Sequence, residues 1–212
     1  MKIKLLAATA AGGAVLLSTV ALGGTAVATG YYPSHDDNKV SGRLNTLNNS
    51  GVTGHAHAKV MGKKVEVRYT ARHLAANLPH AAHIHYGEQA AHECPTVKDD
   101  KNHDFRLNVA EGLPKYGPIA ISLTTKGDTS PASALAVDRF STAPKGTIHY
   151  DRTVKTSKAV AKAIRKGEGV LVVHGVDYNA NGKYDFDGAG KSELNAALPA
   201  EATDPAVCGV LR

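Results

Sequence analysis

Apolar and polar residues alternate through much of this 212-residue chain. Over Lys64–Leu74, Val65, Val67 and Tyr69 interleave with Glu66, Arg68 and Thr70, the period of two of a half-buried strand. Val52–Met61 runs just ahead, and Gly62-Lys63 between them predicts a hairpin. The leading strand carries His55 and His57 on one face with Thr53 and Lys59, which reads as a solvated outer face. A first strand is expected near Val40–Leu47. Further strands are expected at Gly117–Thr125, near Leu135–Val137, at Thr147–Asp151, at Val170–Val176 and at Ala206–Leu211. Ser157–Lys166 alone has clear helical spacing, with Val160 and Ile164 four apart, Ser157 to cap it and Gly167 to end it. Many short strands and one short helix predict an all-β antiparallel sandwich or barrel.

Lys2 and Lys4 precede a run of small and apolar residues that closes on Ala26-Val27-Ala28, so residues 1–28 read as a signal peptide. Residues 29–49, with Tyr31-Tyr32-Pro33, His35 and Asp36-Asp37-Asn38, read as a flexible lead-in, and residues 50–212 as one domain. The expected destination is extracellular, with no membrane attachment after cleavage. In that oxidising compartment Cys94 and Cys208, the two cysteines of the chain, read as one disulfide. By chain entropy, closing so long a loop stabilises by ~4–5 kcal/mol. The 25 basic and 19 acidic residues leave a mild excess of positive charge. The cations are scattered and tryptophan is absent, so no nucleic-acid motif is present. The excess would attract a small anion, but a charge count does not place the field.

The candidate chemistry lies in His80-Ala-Ala-His83-Ile84-His85-Tyr86-Gly87. On a strand His83 and His85 point the same way and can converge on one metal ion. A third histidine, His174, ends the buried run Gly169-Val-Leu-Val-Val-His174. Neutral imidazole suits copper, zinc, iron and nickel. The long polar segment Glu88–Pro114 holds Cys94, His92, Asp99, Asp100, His103 and Asp104. Pinned by a disulfide, it could return His103 to the histidine strand as a further ligand, or leave it as a surface side chain. His92 has the same two readings. Asp177-Tyr-Asn179-Ala-Asn181-Gly-Lys-Tyr-Asp185 has the oxygen spacing of a calcium loop, but Gly188 stands where a bidentate glutamate is needed. The other reading is an Asn-Gly turn with solubilising aspartates.

Leu78–Gly87 followed by Cys94, Val172-Val173-His174, and Ala206-Val-Cys208-Gly-Val210 together resemble the secreted copper/zinc superoxide dismutases. The likeness extends over roughly residues 50–211 and is specific in those three segments. It implies a Greek-key β-barrel and the Cys94–Cys208 pairing. It also implies copper on His83, His85 and His174, with His103 in the fourth, bridging position. The implied activity is dismutation of superoxide, a small anion, to dioxygen and hydrogen peroxide. Two features depart from that family. Between Cys94 and Gly117 there are one histidine and three aspartates, too few for its zinc site. Where the family has an arginine three residues before the C-terminal cysteine, this chain has Pro205, leaving Arg106 or Arg212 as substitutes. The Ala81–Gly87 run also resembles the chordin-type (CHRD) domain, a related barrel, which implies a non-catalytic module binding copper or a protein partner. A third reading is copper sequestration, with His55, His57, His92 and His103 as extra ligands. No residue pattern specifies the oligomeric state.

Overall fold

The computed structural model describes residues 37–212. The signal-peptide segment, Tyr31-Tyr32-Pro33 and His35 lie outside the described residues. Ten strands follow in chain order: β1 Lys39–Thr46, β2 Thr53–Met61, β3 Lys64–Arg72, β4 Pro79–His80, β5 Ala82–His85, β6 Ile119–Ser122, β7 Ser141–Thr142, β8 Thr147–Lys155, β9 Gly169–His174 and β10 Pro205–Leu211. Eight of them form one antiparallel curled sheet in the order β6-β5-β9-β10-β1-β2-β3-β8, and β4 pairs with β7 alone. The mostly-β architecture expected from the alternation is therefore present. β1, the first strand expected near Val40–Leu47, lies between β10 and β2, so the sheet includes residues that a domain start at residue 50 leaves out.

Alternation decides which face each strand buries. Val40 and Leu44 of β1, Val65, Val67 and Tyr69 of β3, and Ile148, Tyr150 and Val154 of β8 turn inward and join Ile84, Ile121, Leu171 and Val173 in one core. The outward set on β2 is Thr53, His55, His57 and Lys59, all exposed, as the hairpin pattern requires. Met61 pairs with Lys64, and Gly62 makes the turn with φ +65°. β6 and β8 end the sheet, and side chains connect the two edges. Tyr150 Oη and Arg152 Nη1 donate to the Thr124 carbonyl at 3.1 and 2.7 Å, and Arg152 Nη2 donates to the Gly127 carbonyl at 2.7 Å.

The expected helix is α2, Lys158–Arg165, where Ser157 Oγ accepts from Val160 N and Ile164 is buried. A helix not expected, α1 (Val109–Tyr116), sits inside the segment read as irregular. Gly112 and Pro114 hide it from a propensity reading. Asn108 and Glu111 form a capping box at its start, which supplies the start signal that the composition obscures. Two four-residue helices follow, α3 Phe186–Ala189 and α4 Ala200–Thr203. The strand expected at Leu135–Val137 is instead irregular backbone leading into a 3₁₀ turn at Val137–Arg139.

A second, smaller core lies on the outer side of β9 and β10. Val170, Val172 and Cys208 pack there with Leu47, Leu107 and Tyr116, beneath the long segment from Gly87 to Gly117. Cys94 and Cys208 form a disulfide with Cα atoms 5.8 Å apart, closing a span of 114 residues. The bridge ties that segment to a central strand and so roofs this face of the sheet.

Candidate metal centre

Strand geometry assembles the three histidines. His83 and His85 occupy one face of β5, where they pair with Val172 and Val170 of β9. On β9, Val170, Val172 and His174 alternate with Leu171 and Val173, so His174 shares the outer face with its partners' side chains. The imidazole centroids stand 5.2 Å apart for His83 and His174, 5.7 Å for His83 and His85, and 6.2 Å for His85 and His174. One ring nitrogen from each lies within 4.8 Å of the others, and all three residues are buried.

Each ring is held by a backbone carbonyl from a different loop. His83 Nε2 donates to Ala134 O at 3.1 Å, His85 Nδ1 to Gly117 O at 2.8 Å, and His174 Nδ1 to Thr203 O at 2.6 Å. These bonds set the tautomers, because a carbonyl only accepts. They leave His83 Nδ1, His85 Nε2 and His174 Nε2 as lone pairs, and these are the three buried ring nitrogens with no partner. A buried polar atom left unpaired costs about 1–3 kcal/mol. Three such atoms converging on one point are the arrangement a metal ion satisfies. Burial, with added repulsion from neighbouring imidazoles, holds the His83 ring well below the usual histidine range. It brings His85 down to about 3 and His174 down to about 4. All three rings are therefore neutral at pH 7, the state in which imidazole is a ligand.

The carbonyls are placed by local structure. Gly117 ends α1 with φ 85° and ψ −179°, a conformation essentially restricted to glycine, and this directs its carbonyl at His85. Ala134 lies in a loop braced by Asp128, whose Oδ2 accepts from Ser130 Oγ and Ser133 Oγ at 2.6 Å each. Arg139 donates to Ser133 Oγ at 2.8 Å and completes that brace. Thr203 closes α4, with its hydroxyl 2.8 Å from Ser192 Oγ. His80, which the sequence places beside the pair, is also buried. Its Nδ1 lies 2.8 Å from the His174 carbonyl and its Nε2 3.0 Å from that of Ala75. It fastens β4 to the end of β9 and stays outside the triad.

Other candidate residues lie elsewhere. His103 does not join the triad. It is exposed, has φ +60°, and its backbone N–H donates to Asp100 Oδ1 at 2.8 Å. The turn that carries it is held by Asp100, the acceptor for the backbone N–H groups of both His103 and Phe105. Asp99 caps its own 3₁₀ turn, and Asp104 pairs with Arg106. His92 Nε2 donates to the Gly87 carbonyl at 2.8 Å, and the ring stacks on Tyr86. Arg106 does not guide anything to the triad. Its Nη1 lies 2.9 Å from the buried Asp204 Oδ2, and the guanidinium sits over Tyr178. Burial raises the Asp204 carboxyl to about 7 against the pull of Tyr178 and Arg106. Arg212 continues β10, its backbone paired with Ser41.

The oxygen-rich segment gathers Asp177, Asn179, Asn181 and Asp185, but its side chains bond within the loop. Asp177 accepts from Asn181 N and Gly182 N, and Asn181 Nδ2 donates to Asp185 Oδ2 at 2.7 Å. Buried Glu201 anchors the loop by accepting from Tyr178 N and Asp185 N, both at 2.9 Å. Among the described residues, His83, His85 and His174 are the single group of three or more ligating side chains close enough to share an ion.

A cavity of about 230 Å³ reaches His83 and His174 from the surface. Its walls are Ile119, Leu135, Val137, Leu194 and Leu198 with several alanines, and no charged side chain lines it. The carbonyl partners and this apolar mouth are what sequence reasoning missed, since backbone acceptors leave no residue-type signal. Compared with protein-family models and with characterised protein sequences, the chain finds no match.

Proposed function

We propose that this chain is an exported copper-binding protein in which His83, His85 and His174 hold one copper ion. The observation that carries the reading is the set of three buried, unpartnered ring nitrogens, each made a lone pair by a carbonyl bond on the far side of its ring. The donor set is all imidazole, with neither thiolate nor carboxylate, and copper stands at the top of the affinity order for such nitrogen sites. The likeness of the three histidine- and cysteine-bearing segments to the copper/zinc superoxide dismutases supports copper over zinc. The Cys94–Cys208 bridge supports an oxidising destination. No helix among the described residues is long and apolar enough to cross a membrane.

Copper bound at this position would supply reversible one-electron chemistry. The protein's own contribution is to keep three imidazoles neutral, fix their tautomers and hold them rigid under a roof fastened to β10. The apolar cavity borders His83 and His174. The likeness to the superoxide dismutases gives a second reading, in which the centre dismutates superoxide. The test is to load the exported chain with copper and measure metal content, electron paramagnetic resonance and superoxide consumption on one sample. One copper per chain with nitrogen hyperfine structure establishes the centre. Activity lost in His174→Ala establishes dismutation. One copper without activity leaves a binding protein of the chordin-domain kind.

A further inference from the structure

The mouth of the histidine centre has the wrong chemistry for an anion. Leu135, Val137 and Leu194 are each 40–45% exposed at its rim, and Leu198 and Ile119 continue the wall. An anion entering this space must shed water, and the groups around it offer no replacement donor. The N–H groups of His83 and His174 are spent on Ala134 O and Thr203 O, and the Thr203 hydroxyl is spent on Ser192. The charge of a bound metal attracts an anion, but one ion does not restore a hydration shell. No lysine or arginine lines the cavity. Lys39, Arg43, Lys59, Lys64, Arg68, Arg72 and Lys155 are exposed on β1, β2, β3 and β8, where Glu66 and Asp151 both pair with Arg68. β5 and β9, which carry the histidines, contain no lysine or arginine. An uncharged molecule meets none of these costs and gains from leaving water.

We propose that this cavity is a binding site for a small uncharged, largely apolar molecule, seated by Leu135, Val137, Leu194 and Leu198 against His83 and His174, and that it selects against small anions. An apolar cavity of about 150 Å³ is enough for a benzene-sized molecule, and this one is larger. The inference rests on the metal-centre reading and deepens it by naming the class of molecule held beside His83 and His174, and it counts against the dismutase variant. Its first test needs no metal.

Benzyl alcohol and benzoate are matched in size and differ in charge. Each is titrated into the metal-free exported chain at pH 7, with leucine methyl and histidine ring resonances followed by NMR. The proposal expects benzyl alcohol to shift Leu135, Leu194 and His83 resonances along a saturable curve, with benzoate at least tenfold weaker. Leu194→Lys, a change at an exposed rim position, should bring benzoate to parity or better. No saturable shift with benzyl alcohol, or equal binding of benzoate to the unmodified chain, overturns the proposal. A parallel azide titration of the copper-loaded chain, read by paramagnetic resonance, should need at least tenfold less azide in Leu194→Lys. Failure to load copper sinks the metal reading and leaves the NMR result standing on its own.

Discussion

Gly117→Ala places one methyl group at the point where a helix end orients a histidine. The backbone there has φ 85° and ψ −179°, and forcing a side chain into that region costs roughly 1–3 kcal/mol. The new Cβ would stand 2.9 Å from Gly87 N and 3.0 Å from Ala90 Cβ, so the chain must shift. The shift pulls Gly117 O from His85 Nδ1, a bond of 2.8 Å, and an unpaired buried group costs a further 1–3 kcal/mol or so. The expected destabilisation is therefore about 2–6 kcal/mol, read from urea denaturation of the metal-free chain. Loss of a bond that orients a metal-binding histidine typically weakens metal affinity by about 10–100-fold. Gly62→Ala is the control. It also has positive φ, +65°, but its Cβ would meet nothing within 4 Å, in a turn remote in sequence from the histidines. It should cost about 1–2 kcal/mol and leave copper affinity alone. If Gly117→Ala matches the control in copper affinity, the carbonyl does not orient His85 and the reasoning fails.

Three further outcomes follow from the same geometry. Replacing Cys94 and Cys208 together by serine should lower stability by ~4–5 kcal/mol, read as a shift in the urea midpoint. His85 and His174 are depressed to about 3 and about 4, so the stability they allow is complete above the unfolded value near 6.5. It is lost as pH falls below that value, at about 2 kcal/mol for each by pH 5, and metal-free denaturation at pH 7.5 and pH 5 should show it. Equal stability at the two pH values would contradict neutral buried rings. His103→Ala should leave copper affinity within twofold of the parent, measured by chelator competition, whereas His83→Ala should abolish tight binding.

What was legible in the sequence follows physical period. Val65, Val67 and Tyr69 announce their strand because side chains alternate across a sheet, and Ser157 and Gly167 announce α2 because caps have residue preferences. The triad was legible for the same reason, since His83, His85 and His174 keep strand register with apolar neighbours. α1 was not, because Gly112 and Pro114 lower helix propensity and tertiary packing over Tyr116 overrides them. Of the two readings of His103, the surface side chain is the one found. The three carbonyls that set the tautomers belong to glycine, alanine and threonine backbones, and no side-chain pattern marks them. β1 was expected within one residue of where it lies, from Val40 and Leu44, and only the start of the domain was set too late.

The measurement that bears most directly on the central claim is copper stoichiometry and affinity of the disulfide-bonded chain, by chelator competition, beside His83→Ala and His174→Ala. The account predicts one tightly held copper per chain, lost in each variant while far-ultraviolet circular dichroism shows the fold retained. Tight copper that survives both substitutions, or none in the parent chain, would contradict it.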